Sequence, residues 1–173
     1  VIDDCGICDG NNESMDACGL CGGDAENEDE CLVYDQDGNA YHTIQIGDKV
    51  WMQENIRTLS NRACYDDDPE NCEIYGGLYL YPDALNACPV GFHTATESEF
   101  INLYSYYGGQ NSAGSALIDD ELWTGTNESQ FSAVPGGYHY PGANGGVGYG
   151  GKNSVNYIWF GGTPARNTSF YSD

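Results

Sequence analysis

The pattern of apolar and polar positions changes character along the chain. Residues 1 to 31 have almost no such pattern, with Val1, Ile2, Ile7, Met15 and Leu20 as their only larger apolar groups besides cysteine. From Leu32 the spacing becomes that of short strands. LVYD, AYHTIQI and KVWM are separated by the turn signals DQDGN and GD, which predicts an antiparallel meander. His42, Ile44 and Ile46 then share one face of the middle strand, and Tyr41, Thr43 and Gln45 the other. At Thr96 the period lengthens to that of a helix. Phe100, Leu103, Tyr104 and Tyr107 recur at i, i+3, i+4 and i+7 and fall on one face. Thr96 and Glu99 have the spacing of a capping box, and Gly108 follows the last periodic residue. ACYDDDPENCE reads as an acidic loop closed by a local disulfide between Cys64 and Cys72, and YGGLYLYPDAL as a strand or tight turn leading into a one-turn helix before Cys88. GTNESQFSAVPGGY, with Phe131, Val134 and Tyr138 as its large apolar anchors, reads as an ordered irregular loop. The class is α+β: irregular antiparallel sheets, one main helix, long loops and cross-linked N-terminal repeats.

The cysteines of residues 1 to 31 are periodic. Cys5, Cys18 and Cys31 are 13 residues apart, as are Cys8 and Cys21, so DDCGICDGNNESM and DACGLCGGDAENE are repeated units. With ten acidic residues and no basic one, the segment builds no hydrophobic core and needs cross-links or ions. Pairing successive units, Cys8 with Cys18 and Cys21 with Cys31, would close loops of about ten residues and contribute roughly 2–3 kcal/mol each. Cys5 is then left for a partner upstream of Val1 or for Cys88, the latter making all eight cysteines even. Cys5, Cys8, Cys18 and Cys21 also supply the four soft ligands of a zinc site. Their oxygen-rich surroundings and the continuation of the register to Cys31 favour disulfides. Asp3, Asp4, Asp9, Asn11, Asp16 and Asp24 are candidate calcium ligands, because calcium takes six to eight oxygens in flexible geometry. A solvated acidic spacer is the alternative. DQDGN at 35–39 begins like a calcium loop, yet Ile46 stands where the bidentate acid belongs, so a hairpin turn is the better reading.

Composition narrows the setting. The 173 residues suit one domain with a small appendage, and 27 acidic against 5 basic residues give a formal charge of -22. That charge disfavours nucleic acid and anionic membranes as partners and leaves cations, proteins and neutral polymers such as glycans. Eight cysteines among 24 glycines and 14 tyrosines indicate an oxidising, secreted or cell-surface location. No run of 18 apolar residues is present for a transmembrane segment, and the chain starts at Val1 without a signal peptide, as expected of a processed product or a piece of a longer chain.

The phrases WMQENIRT, YGGLYLYPDALNACPVGFHTATESEF and GTNESQFSAVPGGY occur in an order that is similar to the FISUMP domain, a paralogous module of bacterial surface proteins. The resemblance runs from about Asp35 to Phe160. It implies a C-type-lectin-like fold of the kind shared with formylglycine-generating enzymes, without their activity, because the late reactive cysteine pair of those enzymes has no counterpart here. It further implies that Trp51 is core, that Asn55 bonds loop backbone and that Arg57 pairs with a carboxylate. Cys88 is expected to meet a cysteine in a closing C-terminal strand, and no cysteine follows it. The domain at 32–173 is therefore expected to lack that strand. Residues 1–31 resemble acidic CGxC repeats found in tandem on large secreted proteins, and form its stalk.

No catalytic constellation survives inspection. GxSxG and HExxH are absent, no histidine is placed beside a cysteine, and nothing selects a glycosidase pair from Glu97, Glu99, Asp119, Asp120 and Glu121. GGVGYGG lacks the strand, helix and GK[ST] of a phosphate loop. His42 has no second ligand beside it and reads as an ordinary strand histidine. Tyr138, His139, Tyr140, Tyr149, Tyr157 and Trp159 gather near polar loops, as in sugar-binding surfaces, with core and loop packing as the alternative. Sequons stand at Asn12, Asn127 and Asn167, and at Asn127 the resemblance implies a structural use of the side chain. Two functions remain. One is a non-enzymatic surface binding or adhesion module with a calcium- or disulfide-stiffened stalk. The other is a fibre or sheath subunit that self-assembles by strand addition or disulfides.

Overall fold

A computed structural model describes residues 5, 7–11, 13–18, 21–59, 61–141, 147–162 and 166–171. Its strands are short and pair only as hairpins. β1 (Val33–Tyr34) pairs β2 (Ala40–Tyr41), and β3 (Thr43–Ile46) pairs β4 (Lys49–Met52). Near the C-terminal end β5 (Tyr138–Pro141) pairs β6 (Val147–Gly150), and β7 (Val155–Phe160) pairs β8 (Arg166–Tyr171). All four sheets are two-stranded and antiparallel. Helices α1 (Pro69–Tyr75), α2 (Tyr81–Ala84), α3 (Glu97–Tyr106) and α4 (Gly114–Leu117) lie between them. The architecture is α+β, as the pattern predicts.

The meander is interrupted at His42, which belongs to neither hairpin. Its N–H donates to Glu54 Oε2 at 2.7 Å, and its carbonyl accepts from the Gln53 N–H at 3.0 Å. The predicted faces are also corrected. Tyr41 and Thr43 are buried and His42 is exposed, while Ile46 is buried with Ile44 packed against the core. Both faces of this segment are covered, so simple alternation fails. Beyond YIWFGG, Arg166–Tyr171 form β8.

The main helix begins where its cap dictates. The Thr96 hydroxyl accepts the Glu99 N–H, and the Glu99 carboxylate accepts the Thr96 N–H at 2.8 Å. Burial alone would raise the Glu99 pKa, but the Thr96 N–H, the His93 side chain and the Thr96 hydroxyl hold it down to about 2. Phe100, Leu103 and Tyr104 are buried, with Tyr107 packed at the edge of the core. Phe100 collects the other aromatic rings around it, with centroids 5.3 Å from Trp51, 5.2 Å from Phe160 and 6.0 Å from Tyr104. Tilted and edge contacts of this kind add about 0.5–1.5 kcal/mol beyond area burial. The GTNESQFSAV run wraps this core as an ordered loop. Asn127, Gln130 and Ser132 take left-handed backbone conformations, and the Asn127 side chain binds both Ser132 N–H and Ser132 Oγ at 3.0 Å. Its amide is engaged structurally.

A buried carboxylate ties the first hairpin to the rest. Asp35 Oδ1 accepts the Asp37 and Asn39 N–H groups, each at 2.9 Å, while Oδ2 meets Asn39 Nδ2, Tyr41 OH and Thr58 Oγ1 at 2.8, 2.8 and 2.7 Å. Tyr41 OH in turn accepts the Arg57 N–H at 2.9 Å. Arg57 stacks on the Tyr41 ring and pairs with Glu73 at 3.6 Å, and Asn55 Nδ2 donates to the Tyr75 carbonyl at 2.9 Å. Burial would raise the Asp35 pKa, but hydrogen bonds from Asn39, Thr58 and Tyr41 hold it well below the usual carboxylate range.

The disulfides are Cys5–Cys21, Cys18–Cys31 and Cys64–Cys72. Cys64–Cys72 is the predicted local bridge. In the repeats, however, Cys8–Cys18 and Cys21–Cys31 are replaced, and Cys8 and Cys88 are free thiols. Cys5 therefore pairs with Cys21 rather than Cys88, and with Cys5, Cys18 and Cys21 oxidised, four thiolates are not available for zinc. The reason lies in the repeat itself. Cys5 reaches the second cysteine of the next unit, 16 residues on, but the same step from Cys18 lands on Tyr34, and Cys18 closes on Cys31 instead. The last unit rests on β3: the Cys21 N–H donates to Gln45 Oε1 at 3.1 Å, and Thr43 Oγ1 donates to the Cys31 carbonyl at 3.2 Å. Asp3, Asp4 and the Asn12 sequon lie outside the described residues.

Asp35→Ala strands the buried Tyr41 and Thr58 hydroxyls and is expected to cost roughly 2–4 kcal/mol in chemical denaturation. Because the folded-state pKa is depressed, the Asp35 contribution is complete above an unfolded value of about 4 and is lost as pH falls below it toward the folded value. The stability of the native chain should therefore fall more steeply than that of the variant between about pH 5 and about pH 2. Equal slopes would refute the assignment. Peptide mapping of the unreduced protein should recover the linked pairs Cys5–Cys21 and Cys18–Cys31, with only Cys8 and Cys88 open to alkylation.

Candidate functional site

The Pro135–Gly136–Gly137 corner brings the last two hairpins together. Gly137 has φ +74°, and a Cβ there would stand 2.5 Å from the Gly150 carbonyl oxygen and 2.8 Å from the Lys152 nitrogen. Glycine is required by both conformation and space. The Gly137 N–H then donates to the Val155 carbonyl at 2.8 Å, a parallel bridge that sets the start of β5 beside β7. Tyr138 and His139 consequently stand next to Asn156 and Tyr157. Trp51 of β4, Tyr79, Cys88, Phe92 and His93 complete the walls of a cavity of about 580 Å³. Its volume lies within the range of about 300–1,000 Å³ that small-ligand pockets occupy.

The walls are aromatic and their rings are held in place. Tyr138 and Tyr157 meet edge to face at 5.2 Å, and each keeps more than a third of its surface exposed. Trp159 Nε1 donates to the Tyr79 carbonyl at 2.9 Å, and its ring packs on Tyr81 at 5.5 Å. Tyr79 OH donates to the Thr58 carbonyl at 2.7 Å, which links this wall to the Asp35 network.

Two wall residues carry a polar atom that is closed off from solvent and has no hydrogen-bond partner among the described residues: Asn156 Nδ2, in a residue 4 % exposed, and His139 Nε2. Each such group costs roughly 1–3 kcal/mol if left dry. Charge is nearly absent from the walls. Glu54 is the only acidic residue among the described lining residues, none is lysine or arginine, and Glu54 is bound by His42 Nδ1 at 2.6 Å. His93 Nε2 stands 3.1 Å from Glu99.

Of the residues expected to face a ligand, Tyr138, His139, Tyr157 and Trp159 line this cavity. Tyr140 and Tyr149 do not. Tyr140 lies over Gly148 on the outer hairpin, and Tyr149 donates from its hydroxyl to Asp67 Oδ1 at 2.6 Å while packing on Tyr65. Asn156 escaped the sequence reading, although it is the one amide in the otherwise apolar and aromatic run VNYIWF. Of the candidate calcium ligands, Asp9, Asn11, Asp16 and Asp24 lie among the described residues. Asp16 accepts the Cys18 N–H through Oδ1 and the Ala25 N–H through Oδ2, at 2.9 and 3.2 Å. Asp9 and Asn11 occupy left-handed turn positions, and Asp24 is exposed. Among the described residues no three His, Cys, Asp or Glu side chains group closely enough to hold a metal. The acids considered for glycosidase chemistry also serve turns, with Glu99 in the helix cap and Asp119 Oδ1 accepting the Glu121 and Leu122 N–H groups.

Residues 44–170 match the family model described as the Fibrobacter succinogenes major domain. That match covers more than half of the chain and includes every cavity wall named above. No curated protein matches, and no solved structure does.

The cavity thiol offers a direct check of this geometry. Cys88 is half-buried and burial pushes its pKa up, whereas Cys8 is exposed. A disulfide reagent at neutral pH should therefore label the two thiols in two phases, with Cys8→Ser removing the faster one. A single fast phase for both would show Cys88 to be open to solvent.

Proposed function

The chain belongs to the Fibrobacter succinogenes major domain family, and we propose that it acts as a non-enzymatic binding and adhesion module at the cell surface. Family membership, three disulfides and the absence, among the described residues, of any helix long and apolar enough to cross a membrane fit an extracellular or surface location. The finer likeness, to a FISUMP module with a C-type-lectin-like fold, belongs to the same proposal. The observation that carries it is the cavity between β5, β7 and the Phe92–His93 turn. Its walls combine exposed aromatic rings with very little formal charge, the composition of a recognition site. The N-terminal repeats serve as a disulfide-stiffened connection, since their last unit rests on β3. The partner on this reading is a glycan or protein on a cell or matrix surface.

A second reading, self-assembly into a fibre or sheath, draws support from β8. Its outer edge pairs with no other strand among the described residues, which leaves a site for strand addition. Sedimentation across a wide concentration range separates the two, because a strict monomer excludes strand addition between copies.

The binding reading is tested by screening the chain against immobilised glycans and surface proteins, with the double variant Tyr138→Ala/Tyr157→Ala beside it. Both rings stand at the cavity mouth, so the variant should keep its fold while binding falls about tenfold or more, the loss of roughly 1.4 kcal/mol. Unchanged binding in a folded variant would move the site elsewhere.

A further inference from the structure

We propose that the aromatic cavity receives a weakly hydrated organic cation, an alkylated ammonium or guanidinium group, held against the rings of Tyr138, Tyr157 and Trp159 in the negative field of the chain. This rests on the binding reading above and names its ligand class. What a ligand meets there depends on which polar atoms are already spent. Donors of the walls are used inside the protein: Trp159 Nε1 on the Tyr79 carbonyl, the Tyr79 hydroxyl on the Thr58 carbonyl and Asn55 Nδ2 on the Tyr75 carbonyl. Asn156 Nδ2 and His139 Nε2 are closed off from solvent. Ring surface remains, and it is within reach, since Tyr138 is 39 % and Tyr157 38 % exposed. Tyr157 and Trp159 stand two residues apart on β7 and so leave the strand on one side. Tyr138 meets Tyr157 edge to face, an arrangement in which each ring keeps at least one face uncovered by the other.

Charge decides between a neutral apolar guest and a cation. None of the described lining residues is lysine or arginine, Glu54 is the one carboxylate among them, and its side chain is 36 % exposed. The exposed wall histidine, His93, is already matched by Glu99 at 3.1 Å. With the whole chain at -22, a cation is drawn to this site and an anion is repelled from it. The negative face of an aromatic ring adds to that attraction when the cation comes within about 6 Å of the centroid. The chain makes the same pairing with its own cations, Arg57 lying 4.8 Å from the Tyr41 ring and Lys152 Nζ 5.2 Å from the ring of Tyr75, a wall residue. A compact, strongly hydrated ammonium resists entry between mostly apolar walls, whereas guanidinium and alkylated ammonium groups give up less hydration on entering. Placement is rigid, since the Gly137 bridge to Val155 fixes β5 against β7.

The test is titration calorimetry of the intact chain with choline and with the neutral alcohol in which a quaternary carbon replaces its nitrogen. The cation should bind about tenfold tighter or more than this isostere. End-capped tripeptides with trimethyllysine or arginine at the centre, beside a norleucine control, tell a free ammonium from a side chain of a partner protein, because the tighter of the two kinds of probe names the source. Glu54→Gln keeps the shape of the wall and should weaken cation binding about threefold or more while leaving the neutral alcohol unchanged. Tyr138→Leu/Tyr157→Leu should weaken it about tenfold or more, and Tyr138→Phe/Tyr157→Phe, which keeps both rings, should retain it. If the leucine pair fails to fold, Glu54→Gln and the isostere comparison still decide. Equal binding of cation and isostere, or cation binding indifferent to Glu54→Gln and to the leucine pair, overturns the inference while leaving a binding module in place. Partners captured in the screen with no cation titrating would sink the cation assignment alone. No partner of either kind would remove the binding reading with it.

Discussion

The Phe100 ring is the contact on which the rest of the domain depends. It is 2 % exposed, and it touches the Trp51, Phe131, Phe160 and Tyr104 rings at centroid distances of 5.3, 6.5, 5.2 and 6.0 Å. These residues come from β4, the GTNESQFSAV loop, β7 and α3, none of which pairs with another as a continuous sheet. Four two-stranded hairpins leave most of the backbone ladder unshared, so side-chain packing has to hold the pieces in register. Phe100 can do so because the Thr96–Glu99 cap fixes where its helix starts, and with that the direction in which its fourth residue points.

Trp51, Phe100 and Phe131 also form part of the cavity lining. Core and site thus share a wall. The consequence is a site whose deep side is as rigid as the core, while its mouth is made of half-exposed tyrosines on the last two hairpins. The Asp35 network supports the opposite wall. Thr58 touches Asp35 through its hydroxyl and receives the Tyr79 hydroxyl at its carbonyl, and the Tyr79 carbonyl holds Trp159. A chain of hydrogen bonds therefore runs from a buried carboxylate in the first hairpin, Asp35, to an aromatic wall at Trp159 far along the chain, an arrangement in which each link orders the next.

The elements were legible where one physical signal dominated. The capping box with its 3.6-residue period located α3, the short Cys64–Cys72 spacing located a disulfide, and turn residues located the first two hairpins. The Asn127 side chain proved structural, as the resemblance of its phrase implies. The errors share a cause as well. Strand faces were misread at His42 because Tyr41 and Thr43 are covered from one side and Ile46 from the other, so period two carried no unique answer. Repeat pairing was misread because spacing restricts but does not choose among connectivities. Asn156 was overlooked because a single polar residue in an aromatic strand announces burial, not vacancy of its hydrogen bonds. The parallel bridge at Gly137, a contact between residues 19 apart, is what brings Asn156 to the wall of the cavity.

Free energy explains why that amide matters. A small loop-rich domain has little stability to spare, and two unpartnered buried groups cost it roughly 2–6 kcal/mol if they stay dry. Replacing Asn156 by an apolar residue of similar size would remove the donor with little loss of packing, as β7 is otherwise apolar and aromatic. A purely structural strand has no use for the amide. His139 likewise carries a buried Nε2, and because it pairs directly with Tyr149 the two side chains leave the hairpin on one face, the face where Tyr149 donates to Asp67. Neither group takes part in the Asp35 network, the helix cap or the disulfides that hold the chain together. Buried polar groups without partners are rare in folded proteins, so these two mark the junction of β5 and β7 as a place where the fold carries a cost that its hydrogen-bonded networks avoid.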